Sequence, residues 1–130
     1  MLNLREIEIF KPYDSEFPAD FLLNEGGDEA CLDAWLASQT LRVAKRGEQV
    51  LGGYAMNRLS SREFRLLGVV VDAPIRKQGL GRWLVGHAIG VAESKGGRVV
   101  TIPQVRSSRC FVHMGFEQVE SGWEFTLIPE

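Results

Sequence analysis

The sequence of 130 residues predicts a single α/β domain built on a mixed β-sheet. One part of the sheet is expected to be parallel, because residues 63–71 and 98–102 are apolar strands joined by a helical stretch. Strands joined in this way lie parallel. The other part is expected to be antiparallel, because residues 41–56 and the residues after Phe116 have hairpin patterns. With 45% apolar residues the chain can form one core and is too short for two, so residues 1–130 are expected to form one domain.

The region before the first hairpin predicts one strand and two helices. Residues 5–10 alternate polar and apolar side chains, which is typical of a strand. Residues 18–23 predict a short helix that ends at Gly26 and Gly27. Asp28 can then cap a second helix that carries Cys31, Ala34, Trp35 and Ser38 on one face.

The middle of the chain predicts a hairpin and a central strand. Residues 41–45 and 50–56 form the hairpin, and Gly52 and Gly53 predict a bulge or a close backbone approach. The following strand, residues 63–71, ends in three consecutive valines. Continuous apolar sequence favours a strand buried on both faces, so this strand is expected at the centre of the sheet.

The second half of the chain predicts the helix of the parallel unit and three further elements. Apolar residues recur at helical spacing over residues 80–95, and Gly96 and Gly97 end that helix. Pro103 ends the next strand. Residues 106–114 predict a short helix, and residues 116–119 and 123–128 predict a closing antiparallel pair.

Composition excludes several functional classes. A net charge of −2 argues against nucleic-acid binding through overall basicity. No apolar run reaches the roughly 20 residues of a membrane span, and the first residues do not resemble a signal peptide, so a soluble cytoplasmic protein without membrane association is expected. Cys31 and Cys110 lie far apart, without a CxxC pair or a histidine cluster, which predicts free thiols and no metal site.

The segment between the central strand and its helix is typical of a phosphate-binding turn. The first N–H groups of a helix lack helical partners and lie at the positive end of the helix dipole, so they stabilise an anion. Gly79 and Gly81 let the main chain approach a ligand closely. Arg76, Lys77 and Arg82 add three positive charges. We call residues 76–82 the phosphate turn.

Two common phosphate motifs do not fit the phosphate turn. A P-loop needs Lys followed by Ser or Thr after its last glycine, whereas Arg82 and Trp83 follow here. A dinucleotide-binding fold needs Gly or Ala where Leu84 stands, and an acidic residue about 20 positions later, where residues 98–102 contain none.

A third pattern fits, because residues 76–81 read Arg-x-x-Gly-x-Gly and resemble the acyl-CoA loop of the GNAT family of N-acetyltransferases. Residues 104–116, ending in Gly115 and Phe116, resemble the second motif of that family, and the order of elements also fits. The resemblance implies a single GNAT-type domain. It further implies a mixed central sheet of about six to seven strands, about four flanking helices, and a splayed parallel pair at the acyl-CoA site.

The resemblance also implies a binding site for acetyl-CoA as co-substrate. Its pyrophosphate would contact the backbone amides of residues 77–82, its pantetheine arm would pair with residues 69–71, and Gln104 stands where an Asn usually contacts that arm. The expected cofactor-binding residues are Val69, Val70, Val71, Arg76, Lys77, Gln78, Gly79, Leu80, Gly81, Arg82, Gln104 and Phe111.

Catalytic residues are less completely matched. The backbone N–H of Val71 resembles the family's donor to the oxyanion. Phe111 replaces the usual tyrosine acid, so Cys110 is either a substitute acid or a core residue. Arg65 and Gly68 stand where acids frequently occur, which leaves Glu63 as the nearest candidate base.

Two functions follow from the resemblance. The first is a cytoplasmic N-acetyltransferase that moves acetyl from acetyl-CoA directly to a small amine or a protein amino group. The alternative is an acetyl-CoA-binding sensor that regulates a partner enzyme. The acidic region of residues 14–33 is either a solvated face or an attraction for a cationic amine. Residues 116–128 provide an edge for a homodimer, and a monomer is equally compatible with the sequence.

Overall fold

A computed structural model describes residues 3–12, 17, 19–20, 29–75, 78–103, 116–119 and 122–127. Its strands are β1 (Glu8–Phe10), β2 (Thr40–Arg46), β3 (Gln49–Arg58), β4 (Glu63–Val71), β5 (Val99–Pro103), β6 (Glu117–Val119) and β7 (Gly122–Thr126). Its α-helices are α1 (Glu29–Leu36) and α2 (Leu80–Ser94), and short 3-10 turns cover Leu4–Glu6 and Ala73–Ile75.

The seven strands described form one mixed sheet in the order β1-β2-β3-β4-β5-β7-β6. Within the described ranges β4 and β5 pair parallel, and every other neighbouring pair is antiparallel. This confirms the predicted mixed sheet, its strand number and its central parallel unit. The hairpin and the terminal strand pair are also present as predicted.

The first strand is shorter than the sequence predicts. Residues 5–10 were expected to be extended, but Leu4–Glu6 form a 3-10 turn and the strand begins at Glu8. The side chain of Asn3 accepts a hydrogen bond of 3.0 Å from the N–H of Arg5. Such local side-chain bonds stabilise a turn in competition with an extended backbone, which explains the difference.

The helices agree with the sequence where they are described. The helix expected after Asp28 is α1, although it ends at Leu36, so Ser38 lies beyond it. The left-handed conformation of Gly96, with φ 87°, ends the long helix as expected of a C-terminal glycine. Of the predicted helix at residues 18–23 only 19–20 are described, in helical conformation, and that at residues 106–114 lies outside the described residues.

The core consists of two clusters on opposite faces of the sheet. On one face, which we call the α2 face, the buried residues of α2 pack against Tyr54 and Phe64. On the other, the α1 face, Trp35 of α1 packs with Ala55 and Val70. Residues 64, 66 and 56 belong to the first cluster and residue 55 to the second, which is the alternation expected of strands covered on both faces.

Gly68 has a packing role on the α1 face. A Cβ at this position would lie 3.0 Å from the ring of Trp35. The glycine therefore lets α1 pack closely onto β4, which explains why a carboxylate does not stand there. None of the helices described in the structure is long and apolar enough to cross a membrane.

Candidate functional site

The two parallel strands separate at one end, as predicted. β4 pairs with β5 from Glu63 to Arg65, opposite residues 99–101. Beyond that point β5 remains paired with β7 through Ile102 and Pro103, and residues 66–71 of β4 remain paired with β3. The carboxyl halves of the two strands thus leave a gap between them, and we call this the β4–β5 gap.

A β-bulge lies where the β4–β5 gap begins. Ala55 pairs with Gly68 and Met56 pairs with Leu66, so Leu67 is an extra residue in β4. A bulge bends its strand and increases the local twist. This bend provides a physical reason for β4 to turn away from β5 after Arg65.

The backbone of β4 presents hydrogen-bonding groups to the β4–β5 gap. The N–H of Asp72 donates to the carbonyl of Leu51 at 2.8 Å, which fixes the alternation of the β3–β4 ladder. Because alternate residues of an antiparallel strand bond to the same neighbour, Val70 is directed toward β3, whereas Val69 and Val71 are directed toward the gap. The two valines therefore have the orientation needed to bind an extended ligand as an added strand.

The amino terminus of α2 presents a second set of backbone groups. Gly79 precedes the helix with φ 90° and ψ −2°, a left-handed conformation that favours glycine. The first helical bond shown runs from the N–H of Trp83 to the carbonyl of Gly79, at 3.0 Å. The N–H groups of Leu80, Gly81 and Arg82 precede that bond, and Gly79 at the N-cap has no side chain to satisfy them, so these groups are placed to bind an anion.

Gly79 and Gly81 differ in the space around them. A Cβ on Gly79 would meet nothing within 4 Å, and one on Gly81 would lie at ordinary contact distance, 3.7 Å, from Cγ2 of Val71. Packing within the described residues therefore does not require glycine at position 81. Glycine also weakens a helix by about 0.5–1 kcal/mol, so helix stability does not favour it there either. Because the Cβ position of Gly81 lies this near to Val71, the helix terminus is beside the end of β4, and the two sets of backbone groups are neighbours.

The other predicted cofactor residues are placed as follows. Leu80 is buried, Gln78 is half-buried and Arg82 is exposed at the start of α2. The remaining predictions lie outside the described residues: Arg76, Lys77, Gln104, Cys110 and Phe111.

Glu63, the candidate base, stands apart from the phosphate turn. It is the first residue of β4 and lies eight positions before Val71, which corresponds to roughly 26 Å along an extended strand. It is also in the paired half of β4, opposite Val99. The structure therefore does not bring Glu63 together with Val71 and the start of α2.

Three polar residues that are distant in the sequence form a row in the folded sheet. Arg65 pairs with Thr101, and Thr101 pairs with Glu124, so the three lie side by side on β4, β5 and β7. Their strand neighbours are buried on the α2 face, so this polar row lies on the α1 face. Only strand order and register reveal the row, since its members are 23 to 59 positions apart in the sequence.

A hydrogen-bonded Tyr–His pair lies on the α2 face. The hydroxyl of Tyr54 is 2.8 Å from Nδ1 of His87. Burial raises the pKa of Tyr54 to about 12, although nearby Arg42 opposes that effect. Burial, and then the charge of Arg42, lower the pKa of His87 below its usual value. At neutral pH the pair is thus a neutral hydroxyl bonded to a neutral imidazole, and the tautomer of His87 sets which of the two donates.

His87 also lines a groove along α2. The groove has a volume of about 630 Å³ and is bounded by Leu4, Gly79, Arg82, Trp83, Gly86 and His87. It lies beside the start of α2, whereas the polar row lies on the α1 face of the sheet.

Comparisons with known proteins agree with this geometry. The sequence matches the acetyltransferase (GNAT) family over residues 4–116. No curated protein matches the chain. Among solved structures, the IAA acetyltransferase from Bacillus cereus ATCC 14579 has a TM-score of 0.78 and 20% identity, over 88% of this chain and 79% of that one.

Two further structures share the fold with ligands bound. The GNAT family acetyltransferase from Elizabethkingia anophelis, with acetyl-CoA bound, has a TM-score of 0.74 and 22% identity, over 88% of this chain and 78% of that one. The N-acetylglutamate synthase from Neisseria gonorrhoeae, complexed with coenzyme A and N-acetyl-glutamate, has a TM-score of 0.74 and 15% identity, over 88% of this chain and 29% of that one. Because the family match extends over residues 4–116, this chain belongs to the GNAT acetyltransferase family, whose general activity is acetyl-CoA-dependent acetyl transfer.

Proposed function

We propose that this protein transfers the acetyl group of acetyl-CoA directly to an amine. The main support is the junction at which Gly81 approaches Val71, because it joins an anion-binding helix terminus to the gap-directed edge of β4. The pyrophosphate of acetyl-CoA would bind the N–H groups of residues 80–82. Its pantetheine arm would bind the backbone of Val69 and Val71, and this would direct the thioester into the β4–β5 gap.

The reaction needs a neutral amine and a stabilised oxyanion. An alkyl ammonium with a pKa of about 10.4 is neutral in only about one molecule in two thousand at pH 7, so a proton must leave the amine first. The amine nitrogen then bonds to the thioester carbon, the nitrogen gives up a second proton to water, and the carbon–sulfur bond breaks. Val71 supports the intervening oxyanion in this proposal, because its backbone is directed toward the gap. A thiolate with a pKa of about 8.5 can then take its proton from water.

The direct test has two measurements. The first is the shift in melting temperature on adding acetyl-CoA, for which saturation at 100 times Kd predicts about 2.7 kcal/mol of added stability. The second is thiol release from acetyl-CoA across a panel of amines, with mass spectrometry to detect the N-acetylated product. Turnover above hydrolysis supports the proposal. Binding without turnover on any amine would instead indicate an acetyl-CoA sensor, and a folded protein without binding would contradict both functions.

A further inference from the structure

The groove along α2 has the size of a small-molecule site. Its volume of about 630 Å³ lies within the usual range for such sites, about 300–1,000 Å³. Among the described residues it is bounded by four residues of α2, by Gly79 at the N-cap and by Leu4. Leu4 precedes β1, which stands at the edge of the sheet, three places from β4. The groove therefore lies on the side of α2 that is turned toward β1, away from the β4–β5 gap.

A glycine in the middle of α2 keeps this groove open. Gly86 lines the groove and is exposed, whereas the buried residues of the helix face the sheet. Glycine in a helix interior weakens the helix relative to alanine, so helix stability does not favour it at this position. Because residue 86 lines the groove, a side chain there would occupy part of its volume. The glycine is therefore better explained by the open space than by the stability of α2.

The charges at the groove favour an anion. Arg82 lines the groove and is exposed, and its side chain has no ion pair or hydrogen bond in the part of the chain that the structure describes. Burial, and after it the charge of Arg42, lowers the pKa of His87, so a second cation lies close to the groove. The start of α2 adds the positive end of the helix dipole. Glu6 follows in the 3-10 turn near the groove, but it is exposed and does not line it.

The other side chains of the groove present aromatic and apolar surface. Leu4, Trp83 and His87 are each half-buried, so part of each remains open to the groove. The hydroxyl of Tyr54 lies 2.8 Å from Nδ1 of His87, and this bond fixes the orientation of the imidazole. Aromatic rings pack favourably against other rings in offset or edge-to-face arrangements. A flat ring therefore matches these surfaces.

We propose that the groove along α2 binds a small aromatic carboxylic acid, with its carboxylate on Arg82 and its ring against Trp83 and His87. The planar guanidinium can donate two parallel hydrogen bonds to a carboxylate, which favours this anion over a spherical one. The groove and the β4–β5 gap lie on different sides of α2, so the acid and acetyl-CoA can be bound at the same time. Occupancy of the groove accordingly does not depend on acetyl transfer.

The first test is calorimetric titration of the wild type with 2-naphthoate, 2-naphthamide, acetate and decanoate. The naphthoate should bind saturably with a Kd of about 1 mM or lower. The neutral amide, which has the same rings, should bind at least about tenfold more weakly, because it lacks the charge-assisted bond to Arg82. Acetate should show no saturation. Equal binding of naphthoate and naphthamide, tighter binding of decanoate, or no binding of naphthoate would each overturn the proposal.

Two glycines of α2 provide a matched pair of variants that locates the site. Gly86→Leu should fill the groove and raise the Kd for 2-naphthoate at least about tenfold. Gly90→Leu is the control, because Gly90 is also exposed but does not line the groove, and a Cβ there meets nothing within 4 Å. It should leave that Kd within about threefold. Leucine favours helix over glycine, so neither variant should have a lower melting temperature. Equal effects of the two variants on naphthoate binding would overturn the placement in the groove.

The last test separates the groove from the cofactor site. Protein saturated with acetyl-CoA should still bind 2-naphthoate, and Gly86→Leu should keep its affinity for acetyl-CoA within about threefold. Arg82→Met should weaken naphthoate to the affinity of naphthamide and leave naphthamide itself within about threefold, because only the charge is lost. Displacement of naphthoate by acetyl-CoA would show that the groove is part of the cofactor site and would overturn the proposal. Equal losses for naphthoate and naphthamide in Arg82→Met would overturn the role of Arg82.

Discussion

The two ends of the β4–β5 gap present different chemical groups. At the carboxyl end of β4 and the start of α2, the groups in place for a ligand are backbone amides, and the side chains beside them are valine, leucine and glycine, apart from Arg82. At the closed end of the gap, the polar row consists of side chains from three strands. We therefore expect the first region to be sensitive to added volume.

The largest effect on stability is expected from Gly52→Ala, because Gly52 lies on β3 and faces the backbone of β4. The new Cβ would lie 2.5 Å from the carbonyl of Val70 and 3.3 Å from Cα of Val71, so β4 would have to move. Overpacking of this kind costs about 3 kcal/mol. We expect a large fall in stability by urea denaturation, together with weaker acetyl-CoA binding in the folded fraction.

Gly53→Ala is the matched control for this change. Its Cβ would lie 2.5 Å from the carbonyl of Arg42 in β2, so a clash of the same size moves the strand on the other side. A similar loss of stability without a comparable change in acetyl-CoA affinity is expected. If both variants lowered the affinity equally, the edge of β4 would not be the element that binds the cofactor.

Gly81→Ala should weaken cofactor binding while leaving the fold intact. The added methyl makes only an ordinary contact of 3.7 Å with Val71, and alanine favours helix. A pyrophosphate on the adjacent amides would collide with that methyl. We expect at least a tenfold higher Kd for acetyl-CoA by calorimetry, which corresponds to about 1.4 kcal/mol, with an unchanged or higher melting temperature. Unchanged affinity would contradict the placement of the pyrophosphate.

These predictions show why one region could be recognised from the sequence and the other could not. Backbone recognition requires glycines at fixed spacing within a continuous segment, so Gly79 and Gly81 were visible as a motif. The long helix, the hairpin and the parallel unit were predicted for the same reason, because each depends on local periodicity. Arg65, Thr101 and Glu124 become neighbours only through the order and register of β4, β5 and β7. Similarly, the packing of Trp35 against Gly68 gives no local signal.

Gly90→Ala provides the reference for stability in both regions. Gly90 lies inside α2, and a Cβ there would meet nothing within 4 Å. Alanine in place of glycine in a helix interior should stabilise the protein by about 0.5–1 kcal/mol. Thermal unfolding should show this gain with unchanged affinity for acetyl-CoA. A loss of stability would mean that the exposed side of α2 makes contacts outside the described residues.

The smallest effect is expected from His87, which faces neither side of the gap. Its pKa is lowered in the folded protein, by burial first and then by Arg42, so the unfolded chain binds protons more readily. The stability that depends on neutral His87 is therefore complete above the unfolded pKa of about 6.5 and is lost as the pH falls below it. His87→Gln keeps a hydrogen-bonding group for Tyr54 but does not titrate. Measured from pH 8 to pH 5.5, the melting temperature of the wild type should fall more steeply than that of the variant. Parallel curves would show that protonation of His87 does not oppose folding, and the Tyr54–His87 bond would then have to tolerate an imidazolium.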